Sequence, residues 1–192
     1  MHILPPIFSL FALALPLAAQ QSSNAFTPEI KTALAAKATG TSVQADNWMV
    51  VAANPLAVQS GARVLRAGGT AADAMVAVQS VLGLVEPQSS GLGGGAFLVW
   101  YDGTTREITT LDGRETAPMA ATPTLFQDSS GAPLKFFNAV VGGLSVGTPG
   151  TPALMATAQQ RWGRLAWSAL FSEAVSLADN GFTAAPCGSG EL

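Results

Sequence analysis

The alternation of apolar and polar positions changes character several times along the chain, and each change predicts an element. Residues 7–19 are an uncharged apolar run closed by small residues and followed by Gln20, Gln21, Ser22, Ser23 and Asn24. Such a run is too short to cross a bilayer as a helix and has the form of a secretory leader ending near Ala19. From residue 20 to residue 47 the sequence is polar and Ala-rich with no sustained period, which predicts an N-terminal extension laid onto the domain. The pattern sharpens at Trp48. Met49, Val50, Val51, Ala52 and Ala53 form an apolar run of strand type. Asn54 and Pro55 then supply an N-cap and a proline at the first helical position, so a helix is predicted over 55–67. Gly68 and Gly69 stop it, and Thr70 with Asp73 has the spacing of a capping box for a second helix running to residue 84. That second helix is polar only at Asp73, Gln79 and Ser80 among Ala, Met, Val and Leu, so it is expected to lie enclosed between layers.

Beyond Glu86-Pro87 come Ser89, Ser90, Gly91, Leu92, Gly93, Gly94 and Gly95, and then an unbroken apolar strand from Ala96 to Tyr101. Asp102-Gly103 is a hairpin turn signal, and residues 105–111 are the natural partner strand. Residues 112–133 read as loop, a short apolar run follows at Ala139, Val140 and Val141, and two more helices are predicted over 151–162 and 166–179. Helices, a hairpin and further helices in that order give an α+β fold in which helices cover an antiparallel sheet.

Composition narrows the chemistry. The chain has one histidine, His2, and one cysteine, Cys187, so it cannot by itself build a Ser-His-Asp triad, a Cys-His dyad, a His-based zinc site or an internal disulfide. Nine basic and twelve acidic residues, scattered along the sequence, leave a formal net charge of −3 and no electrostatic footprint for nucleic acid. We expect no metal and no cofactor.

Gly91-Leu92-Gly93-Gly94-Gly95-Ala96 matches the letters of a dinucleotide fingerprint, but here a helix precedes and a strand follows, the reverse of what pyrophosphate binding needs. Close packing of backbone is the stronger reading of these glycines, with direct ligand contact the weaker. Arg114, in Asp112-Gly113-Arg114-Glu115, presents a planar fork of donors suited to a carboxylate, although an ordinary salt bridge to Glu115 or Asp112 is the stronger reading of the residues alone. Asp73 has sufficient reason as a cap partner, and Arg63 and Arg66 read as the solvated face of the first helix. Trp48, Trp100, Trp162 and Trp167 read as anchors of core or interface. The carboxylates of Asp102, Glu107, Asp112 and Glu115 are close in sequence, with no sign that two of them face each other across a cleft.

Several longer motifs occur in a telling order: Ala53-Asn54-Pro55-Leu56-Ala57, Leu65-Arg66-Ala67-Gly68-Gly69-Thr70-Ala71-Ala72-Asp73-Ala74, and Val85-Glu86-Pro87-Gln88-Ser89-Ser90-Gly91-Leu92-Gly93-Gly94-Gly95-Ala96-Phe97. They continue with Leu111-Asp112-Gly113-Arg114-Glu115-Thr116-Ala117-Pro118, Ser145-Val146-Gly147-Thr148-Pro149-Gly150 and Ala178-Asp179-Asn180-Gly181-Phe182. Through them the chain resembles the N-terminal part of the large subunit of the gamma-glutamyltransferase (gamma-glutamyltranspeptidase, glutathione hydrolase) family.

The resemblance implies an N-terminal-nucleophile hydrolase with an αββα sandwich, made as a precursor that cuts itself into large and small subunits. The nucleophile would be the threonine freed at the new N-terminus, with its own amino group as base, chemistry that requires no histidine. Arg114 would hold the substrate α-carboxylate. The implied substrates are γ-glutamyl amides such as glutathione, and the implied partner is the small subunit of the same precursor; neither nucleic acid nor a stable membrane anchor is expected. The organisation expected is a leader at 1–19, an extension at 20–47, a gamma-glutamyltransferase-like region at 48–182 and a non-matching tail at 183–192. No segment of the chain resembles the threonine-containing cleavage site, so a truncated sandwich without a catalytic residue of its own is expected, in a periplasmic or secreted protein. A related cephalosporin or glutaryl acylase and a secreted, catalytically silent binding module are the alternatives.

Overall fold

The computed structural model describes residues 26–184. The leader expected at 1–19, His2, Cys187 and most of the tail expected at 183–192 lie outside the described residues.

Helix α2 (Pro55–Arg66) starts where the sequence predicts: the Asn54 side chain accepts from Leu56 N–H at 2.9 Å, and Pro55 occupies the first turn. It ends on a Schellman arrangement, with Gly69 N–H bonded to the Val64 carbonyl and Gly68 N–H to that of Leu65. Gly68 sits at φ +85° there, a conformation that glycine takes without cost. Helix α3 (Ala71–Val85) opens on the full capping box, in which Thr70 Oγ1 takes Asp73 N–H and the Asp73 carboxylate takes Thr70 N–H.

The apolar circumference of α3 is used on several sides. Ala74, Val76 and Ala77 pack with Val64, Met155 and Leu170, while Val81 and Val85 pack with Leu56, Ala57 and Leu177. Burying each of the larger side chains is worth about 1.5–3 kcal/mol. The helices that meet α3 are α2, α5 (Thr151–Trp162) and α6 (Ser172–Asn180), together with the 3-10 turn Trp167–Phe171. The last predicted helix thus divides into a 3-10 turn and α6.

Strands β1 (Ala96–Tyr101) and β2 (Ile108–Gly113) pair antiparallel, with Ala96 opposite Gly113 and Tyr101 opposite Ile108. The partner strand therefore begins and ends later than the predicted 105–111 and takes in Asp112 and Gly113. The turn differs as well. Asp102 Oδ1 accepts from Thr104 and Thr105 N–H, and the left-handed residue is Arg106, at φ +62°, rather than Gly103. Ala96, Leu98 and Trp100 point toward α5, where Trp100 stacks on Trp162 with ring centroids 4.6 Å apart. Phe97, Val99 and Tyr101, opposite Asp112, Thr110 and Ile108, face outward and are exposed.

Two further expectations are corrected. Residues 49–53 belong to no sheet among the described residues, because strand identity requires a pairing partner and the described sheet consists of β1 and β2 alone. The N-terminal extension contains a helix, α1 (Pro28–Ala38), which buries only Ile30 and so leaves little apolar period to detect. It is fastened by Gln59 Oε1, which accepts from Thr27 N–H, and by an ion pair of Glu29 with Arg66 at 3.2 Å. The short helix α4 (Phe136–Val140) covers the run at 139–140 and buries none of its residues. No helix among the described residues is long and apolar enough to cross a membrane.

Candidate functional site

Three stretches far apart in sequence are locked together at the open end of the hairpin. The Gly94 carbonyl accepts from Gly150 N–H (3.1 Å), Thr151 N–H (3.2 Å) and Thr151 Oγ1 (3.0 Å), so the glycine-rich loop satisfies the otherwise unpaired first turn of α5. Gly113 ends β2 against the Leu154 side chain, and a Cβ on Gly150 would run into the Gly113 carbonyl group. Thr116 and Thr148 exchange backbone bonds at 2.8 and 3.4 Å. Within the glycine-rich loop the close approach read from the sequence is required at Gly95 alone, since a Cβ on Gly91 or Gly93 would meet nothing within 4 Å; the loop borders a hollow of about 500 Å³ whose polar lining includes Gln79, Ser90, Glu115 and Thr151. Gln79 Nε2 donates to Ser90 Oγ there at 2.9 Å.

Arg114 follows directly on β2. Its backbone N–H donates to Asp112 Oδ1 at 2.9 Å, which fixes the corner, and its side chain is 71% exposed at the edge of a second, smaller hollow with Thr116, Thr148 and Thr157. Of the two ion-pair partners that the sequence offered, Glu115 is the one used: Nε lies 3.2 Å from Glu115 Oε2. That contact engages one edge of the guanidinium and leaves both terminal nitrogens free of ion-pair partners among the described residues.

The other singled-out residues fall to structural roles. Asp73 is fully buried. Burial pushes its carboxyl pKa up, but the bonds from Thr70, Arg164 and Leu165 outweigh that and hold it below the usual Asp value. Arg63 pairs with Glu173, and Arg66 lies over the Trp48 ring at 5.8 Å while pairing with Glu29. Asp102 and Asp112 each serve neighbouring backbone N–H groups, and Glu115 serves Arg114. Among the described residues no group of three His, Cys, Asp or Glu side chains is placed to hold a metal ion.

Sequence reasoning missed the seat of Glu115. A Cβ on Gly95 would lie 2.5 Å from Glu115 Oε2 and 2.9 Å from its backbone nitrogen, and one on Gly147 would lie 2.9 Å from its Cβ. The signal was present as glycines in two separate motifs, but nothing local ties them to one side chain.

Residues 57–189 match the family model described as Gamma-glutamyltranspeptidase. Over 134 residues, 70% of this chain, the sequence is 44% identical to "Glutathione hydrolase proenzyme" of Bacillus subtilis (strain 168), and the stretch is 23% of that protein. The crystal structure of Helicobacter pylori gamma-glutamyltranspeptidase superposes with a TM-score of 0.69 at 35% identity, covering 73% of this chain and 40% of that one. Cephalosporin acylase from Bacillus halodurans gives a TM-score of 0.57 at 27% identity, over 76% and 28% of the two chains. The chain thus spans about a quarter of the length of the curated relative it matches.

Proposed function

The chain belongs to the gamma-glutamyltranspeptidase family, and from this we propose that it forms the donor-carboxylate side of an enzyme that breaks γ-glutamyl amides such as glutathione. The γ-glutamyl group passes to a threonine hydroxyl as an ester and from there to water or an amino acceptor. The threonine is freed when a precursor cuts itself, and its amino group takes the hydroxyl proton. The word proenzyme in the relative's name accords with a precursor. So does the chemistry available to this chain, whose one histidine lies in the leader.

Arg114 is the observation that carries the reading. It sits in the matched stretch, on a corner fixed by its own backbone, with both terminal guanidinium nitrogens free to take a carboxylate bidentately. A substrate held there by its α-carboxylate presents the γ-amide several bonds away at a set reach, which serves orientation as well as affinity. The 192-residue chain alone is inactive in this reading, since the nucleophile belongs to the small subunit. The two sheets of an αββα sandwich stack face to face, and the exposed Phe97, Val99, Tyr101 and Ile108 side of the hairpin is the surface on which that partner lies. The leader sends the protein to the periplasm or outside the cell. An acylase of the cephalosporin type is the second reading, favoured by the likeness to the Bacillus halodurans enzyme.

Arg114→Lys in the self-cleaved enzyme tests the proposal. The lysine keeps the charge and loses the fork, so kcat/KM on γ-glutamyl-4-nitroanilide should fall by about 2–5 kcal/mol of transition-state stabilisation. An analogue without the α-carboxylate should be turned over equally poorly by both enzymes, and self-cleavage should survive. A lower melting temperature with unaltered kinetics on both substrates would instead make Arg114 a structural ion pair.

A further inference from the structure

The end of β2 lies in a slot one backbone wide. Gly113 is buried, pairs across the hairpin with Ala96, and also meets the first turn of α5, where a Cβ on it would lie 2.7 Å from the Leu154 Cβ. A Cβ on Gly150 would collide with the Gly113 carbonyl group and lie 3.0 Å from the Arg114 carbonyl oxygen. The walls of the slot are therefore the start of β1 and the start of α5, and Arg114 is the first residue to leave it. Thr151 joins the two walls. It is 2% exposed, and its N–H (3.2 Å) and its hydroxyl (3.0 Å) both donate to the Gly94 carbonyl, two residues before Ala96. Any residue but proline at the start of α5 could offer the N–H, whereas the second bond needs a hydroxyl. That hydroxyl caps nothing in its own helix; it is spent on a carbonyl 57 residues away.

We propose that Thr151 is a positioning residue for substrate recognition. Its hydroxyl clamps the start of α5 to the start of β1, closes the slot on Gly113, and so sets the place and direction from which Arg114 leaves β2. The inference rests on the reading of Arg114 given above. It gives the glycine-rich loop a role that the dinucleotide-like spelling does not suggest, since the loop supplies the acceptor of the clamp. With the hydroxyl gone the slot can widen, and a shift on the order of 1 Å in a group that orients substrate can cost about 100-fold in rate.

The test replaces Thr151 by Val, which keeps the branched shape and removes the donor, and by Ser, which keeps the donor. Both variants are made in the self-cleaved enzyme and assayed on γ-glutamyl-4-nitroanilide and on the analogue lacking the α-carboxylate. Thr151→Val should lower kcat/KM on the first substrate about 10- to 100-fold, chiefly through KM, and leave the second unchanged. Thr151→Ser should keep the wild-type KM, and Thr151→Val should add little to Arg114→Lys. Unaltered kinetics in Thr151→Val, equal losses on both substrates, the same rise in KM in Thr151→Ser, or a full additional loss on top of Arg114→Lys would each overturn the positioning role while leaving Arg114 in place. If Arg114→Lys loses as much on the analogue as on γ-glutamyl-4-nitroanilide, the reading of Arg114 itself fails, and the positioning role with it. Amide hydrogen exchange in the 192-residue chain gives a readout free of turnover. Thr151→Val should speed exchange at Gly150 and Arg114 while the amides of α2 keep their wild-type rates, and Thr151→Ser should speed neither; no change at Arg114, or acceleration throughout the chain, would contradict the proposal.

Discussion

At the scale of single residues, Asp73 ties together parts of the chain that its local role does not reveal. Oδ2 accepts from Thr70 N–H at 2.9 Å, as the capping box requires, and also from Arg164 N–H at 2.9 Å, 91 residues away. Removing the carboxylate frees the start of α3 and takes the acceptor from the part-buried N–H groups of Arg164 and Leu165, so Asp73→Ala should cost about 2–4 kcal/mol by denaturant melting. The sign of the pH effect follows from the lowered carboxyl pKa, whose opposing causes are burial, which raises it, and the larger sum of hydrogen bonds, which lowers it. The unfolded chain takes up the proton first on acidification. The stabilising contribution is therefore complete above the ordinary Asp value and is lost as pH falls through the lower folded value. Melting temperature should decline more steeply below about pH 4 in the wild type than in Asp73→Asn. The capping box was legible in the sequence because its partners are three residues apart. The bonds to Arg164 and Leu165, like the seat of Glu115, were not, because they depend on how distant segments return.

At the scale of elements, the same division between local and returning interactions explains what the sequence revealed. Helices α2 and α3 announce themselves through Asn54-Pro55, Gly68 and the Thr70–Asp73 pair, all of which act within one turn. The hairpin was visible in the apolar run 96–101, yet its register was not, since the turn closes through Asp102 and a left-handed Arg106. The run 49–53 shows the limit most plainly: its composition suits a strand, and the described chain offers no strand for it to join. The junction of loop, hairpin and α5 is the element-scale feature on which the candidate site depends. Gly150 has an ordinary φ of −103°, so space and not conformation demands glycine there. Gly150→Ala should destabilise the chain by about 1–3 kcal/mol through the collision with the Gly113 carbonyl group. Calorimetry should show this loss, while substitution of Gly103, where a Cβ meets nothing within 4 Å, should change the melt little.

For the whole molecule, helices α2, α3, α5 and α6 enclose two apolar clusters along α3, and the hairpin rests its inner face on α5. Phe97 and Val99 are 68% and 72% exposed, and Val51 on the unpaired run 49–53 is 82% exposed. Apolar side chains gathered on one face of a two-stranded sheet mark a surface meant to be covered, and in the proposed enzyme the nucleophile-bearing small subunit covers it. The family was readable from motif order alone because those motifs contain the caps, glycines and arginine whose positions the fold cannot change. The central claim is that this chain supplies the carboxylate grip while another segment supplies the nucleophile. It is tested most directly by measuring release of 4-nitroaniline from γ-glutamyl-4-nitroanilide by the purified 192-residue chain beside a mock preparation. The account predicts equal rates in the two; release by the chain above the mock rate would contradict it.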